Sequence, residues 1–137
     1  MTENLLVYPE DVARYSFAFG HFALTCAPSV NGAKQFSAGV VVVPPGLGHG
    51  RHNHPGSEEI IYVLEGSGEQ MIEDKDGNSV FDQIRAGCTI FVPDSRFHST
   101  MNTGDTPMRF FVVYSPAGPE LGLPDLPDFR LIPPPHS

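Results

Sequence analysis

Short apolar runs, cut at close intervals by glycine and proline, constrain the fold of this chain more than any other feature. The runs are Phe36 to Val43, Glu59 to Leu64, Glu69 to Glu73, Val80 to Arg85, Thr89 to Val92, Ser99 to Asn102 and Met108 to Tyr114. They are rich in Val, Ile, Phe and Tyr, which fit a pleated, half-buried surface. Gly and Pro number 14 each, and Asp76-Gly77-Asn78 suits a hairpin turn. No useful length of chain shows a 3.6-residue apolar period, and the best helical candidate is one turn near Pro9 to Ala13. Residues 16 to 30 add one or two strands, with Phe17, Phe19, Phe22 and Leu24 supplying core. The expectation is an all-β chain, an antiparallel sandwich or barrel. A length of 137 residues suits one domain with a real core and is short for two.

The composition changes after residue 115. Seven of the 14 prolines fall in 116–137, interleaved with Leu121, Leu123, Leu126, Phe129, Leu131 and Ile132. A free tail would be more polar. An extended arm is expected, packed on its own domain or on a second subunit and frayed at Pro-Pro-Pro-His-Ser. The reading divides one domain into N-terminal strands (1–35), a barrel (36–115) and a Pro-rich arm (116–137).

Net charge is −8, a surface that repels phosphate backbones and anionic membranes, so no nucleic-acid or membrane partner is expected. The start, Met1-Thr2-Glu3-Asn4, has no basic n-region, and Leu5-Leu6-Val7 is too short for a signal core. With only Cys26 and Cys88, the chain reads as cytoplasmic with reduced thiols. Cys88, inside an apolar strand pattern, is expected to be a small buried hydrophobe.

The chemistry concentrates in Gly46 to Glu59. His52 and His54 stand at i, i+2, and such residues share one face of a strand. The Pro55-Gly56 turn can bring the next strand alongside and add the Glu59 carboxylate. Two imidazoles and a carboxylate converging in this way suit a divalent transition metal. Glu58 is adjacent, but alternation turns it outward. A fourth ligand is available in Gly87 to Asn102, which reads as strand, turn, strand with His98 at the start of the second strand.

These two segments closely resemble the motifs of the cupin superfamily. The first is a Gly, five residues, His-x-His, three or four residues, Glu, six residues and a Gly. It is met by Gly46, His52, His54, Glu59 and Gly66. The second is a Gly, five residues, Pro-x-Gly, two residues, His, three residues and Asn. It is met by Gly87, Pro93, His98 and Asn102, with Ser95 where the family usually has Gly. The resemblance covers about residues 36 to 115, and the gap from Ser67 to Ala86 suits a small single-domain bacterial-type member. It implies an antiparallel double-stranded β-helix, or jelly-roll barrel, often a homodimer. It also implies one divalent metal per chain (Fe, Mn, Ni, Zn or Cu) held by His52, His54, Glu59 and His98.

Four protein ligands leave about two positions on a six-coordinate ion. The leading expectation is therefore a metal-dependent enzyme acting on a small oxygenated or aromatic substrate chelated at a three-His, one-Glu centre. Dioxygenase and redox-neutral isomerase, cyclase, decarboxylase or lyase chemistry are both open. The alternatives are a non-catalytic metabolite-binding or sensing module, and a structural metal staple. His49 reads either as a solvated loop residue or as a base at the barrel mouth. Arg51 and Arg96 read as surface residues or as grips for a substrate carboxylate. Gln70 is a further pocket candidate. Asn102 is expected to make structural hydrogen bonds. Tyr62, Phe110, Phe111 and Tyr114 are expected mainly in the core. His21 and His136 carry no assignment.

Overall fold

The computed structural model describes residues 3–135; His136, which carried no assignment, and Ser137, the last two residues of the Pro-Pro-Pro-His-Ser end expected to fray, lie outside the described residues. Eleven strands form two antiparallel sheets. The seven-stranded sheet runs β11 (Arg130–Ile132), β1 (Arg14–Phe17), β2 (Gly20–Cys26), β3 (Ser37–Val43), β10 (Met108–Ser115), β5 (Glu58–Glu65), β8 (Thr89–Val92). The four-stranded sheet runs β4 (Gly48–His52), β9 (His98–Met101), β6 (Ser67–Glu73), β7 (Ser79–Arg85). This is the expected jelly-roll class, with its strands sorted between two facing sheets. The N-terminal strands extend the large sheet through the β2–β3 ladder. A single 3-10 turn occupies Pro9–Asp11 and one helical turn Pro28–Asn31.

The core lies between the sheets. Phe22, Val41, Val43, Ile61, Val63, Met108, Phe110 and Val112 point inward from the large sheet, and Ile84 answers from β7. The sheets approach closely at Gly68, where a Cβ would stand 2.2 Å from Met108 Cε. Gly66, the last residue of the first motif, has φ +88, and a side chain there would also press on Pro107 and Met108. Ser95 has φ 65, so the turn keeps its left-handed residue although the usual Gly is absent. Its hydroxyl donates to Asp94 Oδ1 (2.6 Å), a local bond of the kind that lets such residues adopt that region.

Two expectations are corrected. Tyr62 and Phe111 do not enter the core: they face outward, with Tyr62 42% exposed. Both faces of β5 and β10 are apolar, so composition alone could not fix their parity. The C-terminal arm is not extended throughout. It makes a 3-10 segment, Pro119–Asp125, and then returns as β11 beside β1. It packs on its own domain: Leu123 joins the core, and the buried Ser37 hydroxyl donates to Glu120 Oε1 (2.5 Å). Cys88 and Cys26 are free thiols of intermediate exposure, and Cys88 packs against the core.

Candidate metal centre

Four side chains from both sheets and one loop meet at one end of the molecule. His52 closes β4 and His98 opens β9, where the two residues pair directly. Glu59 is the inward-facing second residue of β5, 4% exposed, while Glu58 faces out. His54 lies beyond the end of β4 and is carried by a turn instead of strand alternation. Ser57 N–H donates to His54 C=O (3.1 Å), and Gly56 at φ +91 follows Pro55, the pairing a type II turn requires. A second turn braces the first. Asp94 Oδ1 accepts from Gly56 N–H (2.8 Å), and Asn53 Nδ2 donates to Ser95 C=O (3.1 Å). Ser95 and Gly56 thereby hold the exposed Asp94 carboxyl below its ordinary range. Sequence reasoning did not identify Asn53 or Asp94 as braces, because their partners are more than 35 residues away.

The ring-nitrogen atoms of His52, His54 and His98 lie within 4.8 Å of one another. Glu59 Oε1 is 3.4 Å from His54 Nε2 and 3.1 Å from His98 Nε2. These three atoms are buried, and none has a hydrogen-bond partner. Donor atoms about 2.1 Å from one octahedral ion sit about 3 Å apart when adjacent. Orphaned nitrogens and a carboxylate oxygen at that spacing fit a divalent transition metal.

The electrostatics agree. Burial, with His49 and His98 nearby, pushes the His52 imidazole down to about 3, so it is neutral at pH 7 with a lone pair to offer. Burial on its own would raise the Glu59 carboxyl, but His54 and His98 hold it down to about 2. The tautomers are set from behind. His52 Nδ1–H donates to Gly50 C=O (2.6 Å) and His98 Nδ1–H to Arg96 C=O (3.0 Å), which leaves each Nε2 free to ligate.

The other sequence candidates separate. His49 is not a solvated loop residue. Its ring is stacked between Phe19 (4.3 Å between centroids) and His52 (3.7 Å), and burial, with His98 and His54, holds it down to about 4. Phe17 stacks on Phe19 in turn, so a ladder of parallel rings runs from the core to a candidate ligand. Gln70 is buried behind Thr100, accepting its hydroxyl at Oε1 (2.6 Å). Arg51 and Arg96 are not brought to the centre. Arg51 pairs with Glu73 and covers Phe97, and Arg96 donates to Glu73 C=O. Asn102 is fully buried, donating to Val43 and Thr106 C=O and accepting from Gly104 N–H, each at 2.9 Å.

Two spaces flank the histidines. An inner chamber of about 40 Å3 is lined by the four candidate ligands, Thr100, Phe110 and Tyr114. Tyr114 meets the His54 ring edge-on, and burial, with Glu59 and Glu120, keeps its phenol well above its ordinary range and therefore neutral. On the solvent side is a cavity of about 600 Å3, walled by His52, His54, Pro116, Pro119, Leu123 and Leu126. Among the described residues, no Lys or Arg lines either space. The arm's part in this wall had no signal beyond its apolar residues.

The family model for the cupin domain matches residues 39–114. The chain is a cupin. Among its relatives, protein SchB of Streptomyces halstedii is 35% identical over 99 residues, covering 72% of this chain and 66% of SchB. The oxalate-binding protein of Thermotoga maritima is 38% identical over 71 residues, covering 52% of this chain and 54% of that protein. A solved structure of Bacillus subtilis oxalate decarboxylase, described for its Mn(II) centres, superposes with a TM-score of 0.65 at 25% identity. It covers 70% of this cupin and 26% of that chain. This cupin thus spans less than two thirds of these proteins' lengths. No helix among the described residues is long and apolar enough to cross a membrane.

Proposed function

We propose that this cupin is a metal-dependent enzyme acting on a small oxygenated organic molecule with an apolar or aromatic body. The observation that carries this reading is the cluster of three orphaned ligand atoms, on His54, Glu59 and His98, around an inner chamber, with His52 and His54 also walling a 600 Å3 cavity whose lining is largely apolar. With His52 they would hold one divalent ion, which would supply a Lewis acid with positions left for two substrate oxygens. The relatives' oxalate and manganese associations support a metal centre that meets oxygen-rich ligands. Oxalate itself would fill little of the cavity and find no Lys or Arg there among the described residues. A larger molecule, with chelating oxygens inward and its body against Pro116, Leu123 and Leu126, uses the whole space.

The chain's own residues divide the remaining work. Gly50 and Arg96 carbonyls fix the His52 and His98 tautomers. Leu123, Leu126 and the prolines exclude water, which strengthens every electrostatic interaction at the centre. His49 is neutral, lies at the boundary of both spaces and can take a proton from bound substrate. We also propose a cytoplasmic location, which the two free thiols, Cys26 and Cys88, support.

Elemental analysis of untagged wild type and His98→Ala, purified without chelator, tests the centre. The expected result is near-stoichiometric metal in the wild type, lost in a folded variant. Oxygen uptake with flavonols, catechols or thiols then separates dioxygenase from redox-neutral chemistry. The T. maritima relative is described as a binding protein, which favours non-catalytic binding as the second reading. A bound metabolite recovered unchanged after long incubation would make that reading lead.

A further inference from the structure

Among the described residues, four buried side-chain polar atoms lack a hydrogen-bond partner. Three belong to His54, Glu59 and His98 at the metal centre. The fourth is His21 Nδ1. In β2, Phe22 and Leu24 join the core, so His21 and Ala23 point to the outer face of the large sheet. A buried nitrogen without a partner calls for a group that the chain itself does not supply. His21 lines a second cavity, of about 330 Å3, whose floor is Ala23, Val40 and Val42. The strand register sets the polar groups around that floor. His21 and Arg109 pair with Val42 from its two sides, and Arg14 pairs with Ala23. Directly paired residues share a face. Arg14 is thus a diagonal neighbour of His21, about 7–8 Å away along the sheet, and Arg109 stands two strand spacings away on the other side, about 10 Å. The Pro9–Asp11 turn adds Pro9 and Glu10 to the wall, and the C-terminal arm adds Pro135.

We propose that this cavity binds a small organic monocarboxylate, its carboxylate beside His21 and reached by Arg14 from one side and Arg109 from the other, its short apolar body on Ala23, Val40 and Val42. The charge distribution identifies the ligand. Two arginines line this cavity, in a chain with only eight Lys and Arg in all, whereas neither space at the metal centre has one among the described residues. Arg14 makes no ion pair among the described residues. Arg109 donates from Nη1 to Glu65 (3.1 Å), which leaves the rest of its fork available. Burial, with Arg14 nearby, holds the His21 imidazole below its ordinary value. It is therefore neutral at pH 7 and carries one ring N–H to donate. Guanidinium forks match the two oxygens of a carboxylate. Inorganic phosphate would leave the apolar floor unused, and Glu10 at the wall disfavours a second negative charge. The volume lies at the small end of ligand pockets. The site is on the face of the sheet turned away from the metal centre, so this inference is independent of the proposed reaction.

Titration of the purified protein with millimolar sodium butyrate, read by NMR at the Val40 and Val42 methyl groups, tests it. Saturable shifts of these methyls are expected. Arg14→Gln should weaken binding by about tenfold, the scale of one charge-assisted pair, and Arg14→Gln combined with Arg109→Gln should abolish it. Both side chains reach solvent, so the variants are expected to keep the β-sheet circular dichroism. His21→Phe keeps a ring of similar shape without its nitrogens and should also weaken binding. Butyramide, of the same shape without the charge, should give no saturable shift, and inorganic phosphate should bind more weakly than butyrate. His98→Ala, at the metal centre, should leave the titration unchanged. No saturable shift, butyramide or phosphate binding as tightly as butyrate, or a titration that survives the double arginine variant would each overturn the proposal. A titration lost in His98→Ala would place the butyrate at the metal centre and would overturn it equally.

Discussion

The two sheets of this cupin share a fold and divide its tasks. The large sheet is apolar on both faces: its inner side chains are nearly inaccessible, with Val63 and Met108 at 0% and Val112 at 1%. The small sheet is thinner in core contribution. Nearly all of β7 is exposed, and Glu69 and Gln83 hydrogen-bond across its surface. Yet the small sheet carries two of the three clustered histidines, His52 and His98, at paired strand ends. The large sheet contributes one ligand candidate, Glu59, and the loop between β4 and β5 contributes His54. Most of the buried core thus comes from one sheet and two of the four candidate ligands from the other, and the centre sits on the seam. A metal on the seam would tie the sheets together as well as react.

The largest expected effect breaks that tie. His98 is 1% exposed and presents an orphaned Nε2. His98→Ala should weaken metal affinity by at least about 100-fold, exceeding the 10–100-fold typical of losing only a supporting partner. Metal titration followed by competition with a chelator measures this. Next in size is the acid response of the metal-free protein. His49 and His52 are held down to about 4 and about 3 from an ordinary 6.5. Below pH 6.5 the unfolded chain therefore binds protons that the native state refuses. Stability is fully present above 6.5 and falls as pH drops toward 4. Glu59, held down to about 2 from 4.5, continues the loss below 4.5. Urea midpoints of apo protein between pH 7.5 and 4.5 should decline steadily, and a flat profile would show that the histidines are not desolvated.

The core side of the contrast comes third. Met108 is fully buried where the sheets approach, against Gly68. Met108→Ala should cost about 2–5 kcal/mol, the range for emptying such a site. Phe81→Ala, on a side chain 59% exposed in β7, should cost well under half of that. Denaturant melts of the two variants side by side check the difference. Similar losses would mean that the small sheet is as integral to the core as the large one.

Strand positions were legible because glycine and proline cut the chain near each strand end. Thr89–Val92 matches the sequence reading, and Met108–Ser115 exceeds it by one residue. The convergence of His52, His54, Glu59 and His98 was legible because motif spacing encodes one turn and two strand ends. Parity failed where both faces are apolar, as at Tyr62. Contacts across long separations were also hidden. Nothing near Glu120 announces that it will accept from Ser37, 83 residues away, or that its 3-10 segment will wall the cavity. Arg51 shows the same limit: adjacency to His52 in sequence suggested a substrate grip, but in a strand neighbours point to opposite faces.

Arg51 supplies the smallest and sharpest test of the division between seam and surface. Its side chain is 56% exposed, pairs with the buried Glu73 and lies 3.7 Å over the Phe97 ring. An exposed ion pair is worth about 0–1 kcal/mol and an exposed cation–π contact about 0.5–1 kcal/mol. Arg51→Ala should therefore cost about 1 kcal/mol in a thermal melt while leaving metal content and any turnover unchanged. Most of that cost would come from leaving Glu73 with a less satisfied carboxylate, so Glu73→Gln in the same background should recover part of it. If Arg51→Ala instead raised KM with metal content intact, the guanidinium would have to leave Glu73 and reach the cavity during substrate binding. The β4–β9 end of the seam would then be a moving part of the site instead of its fixed wall.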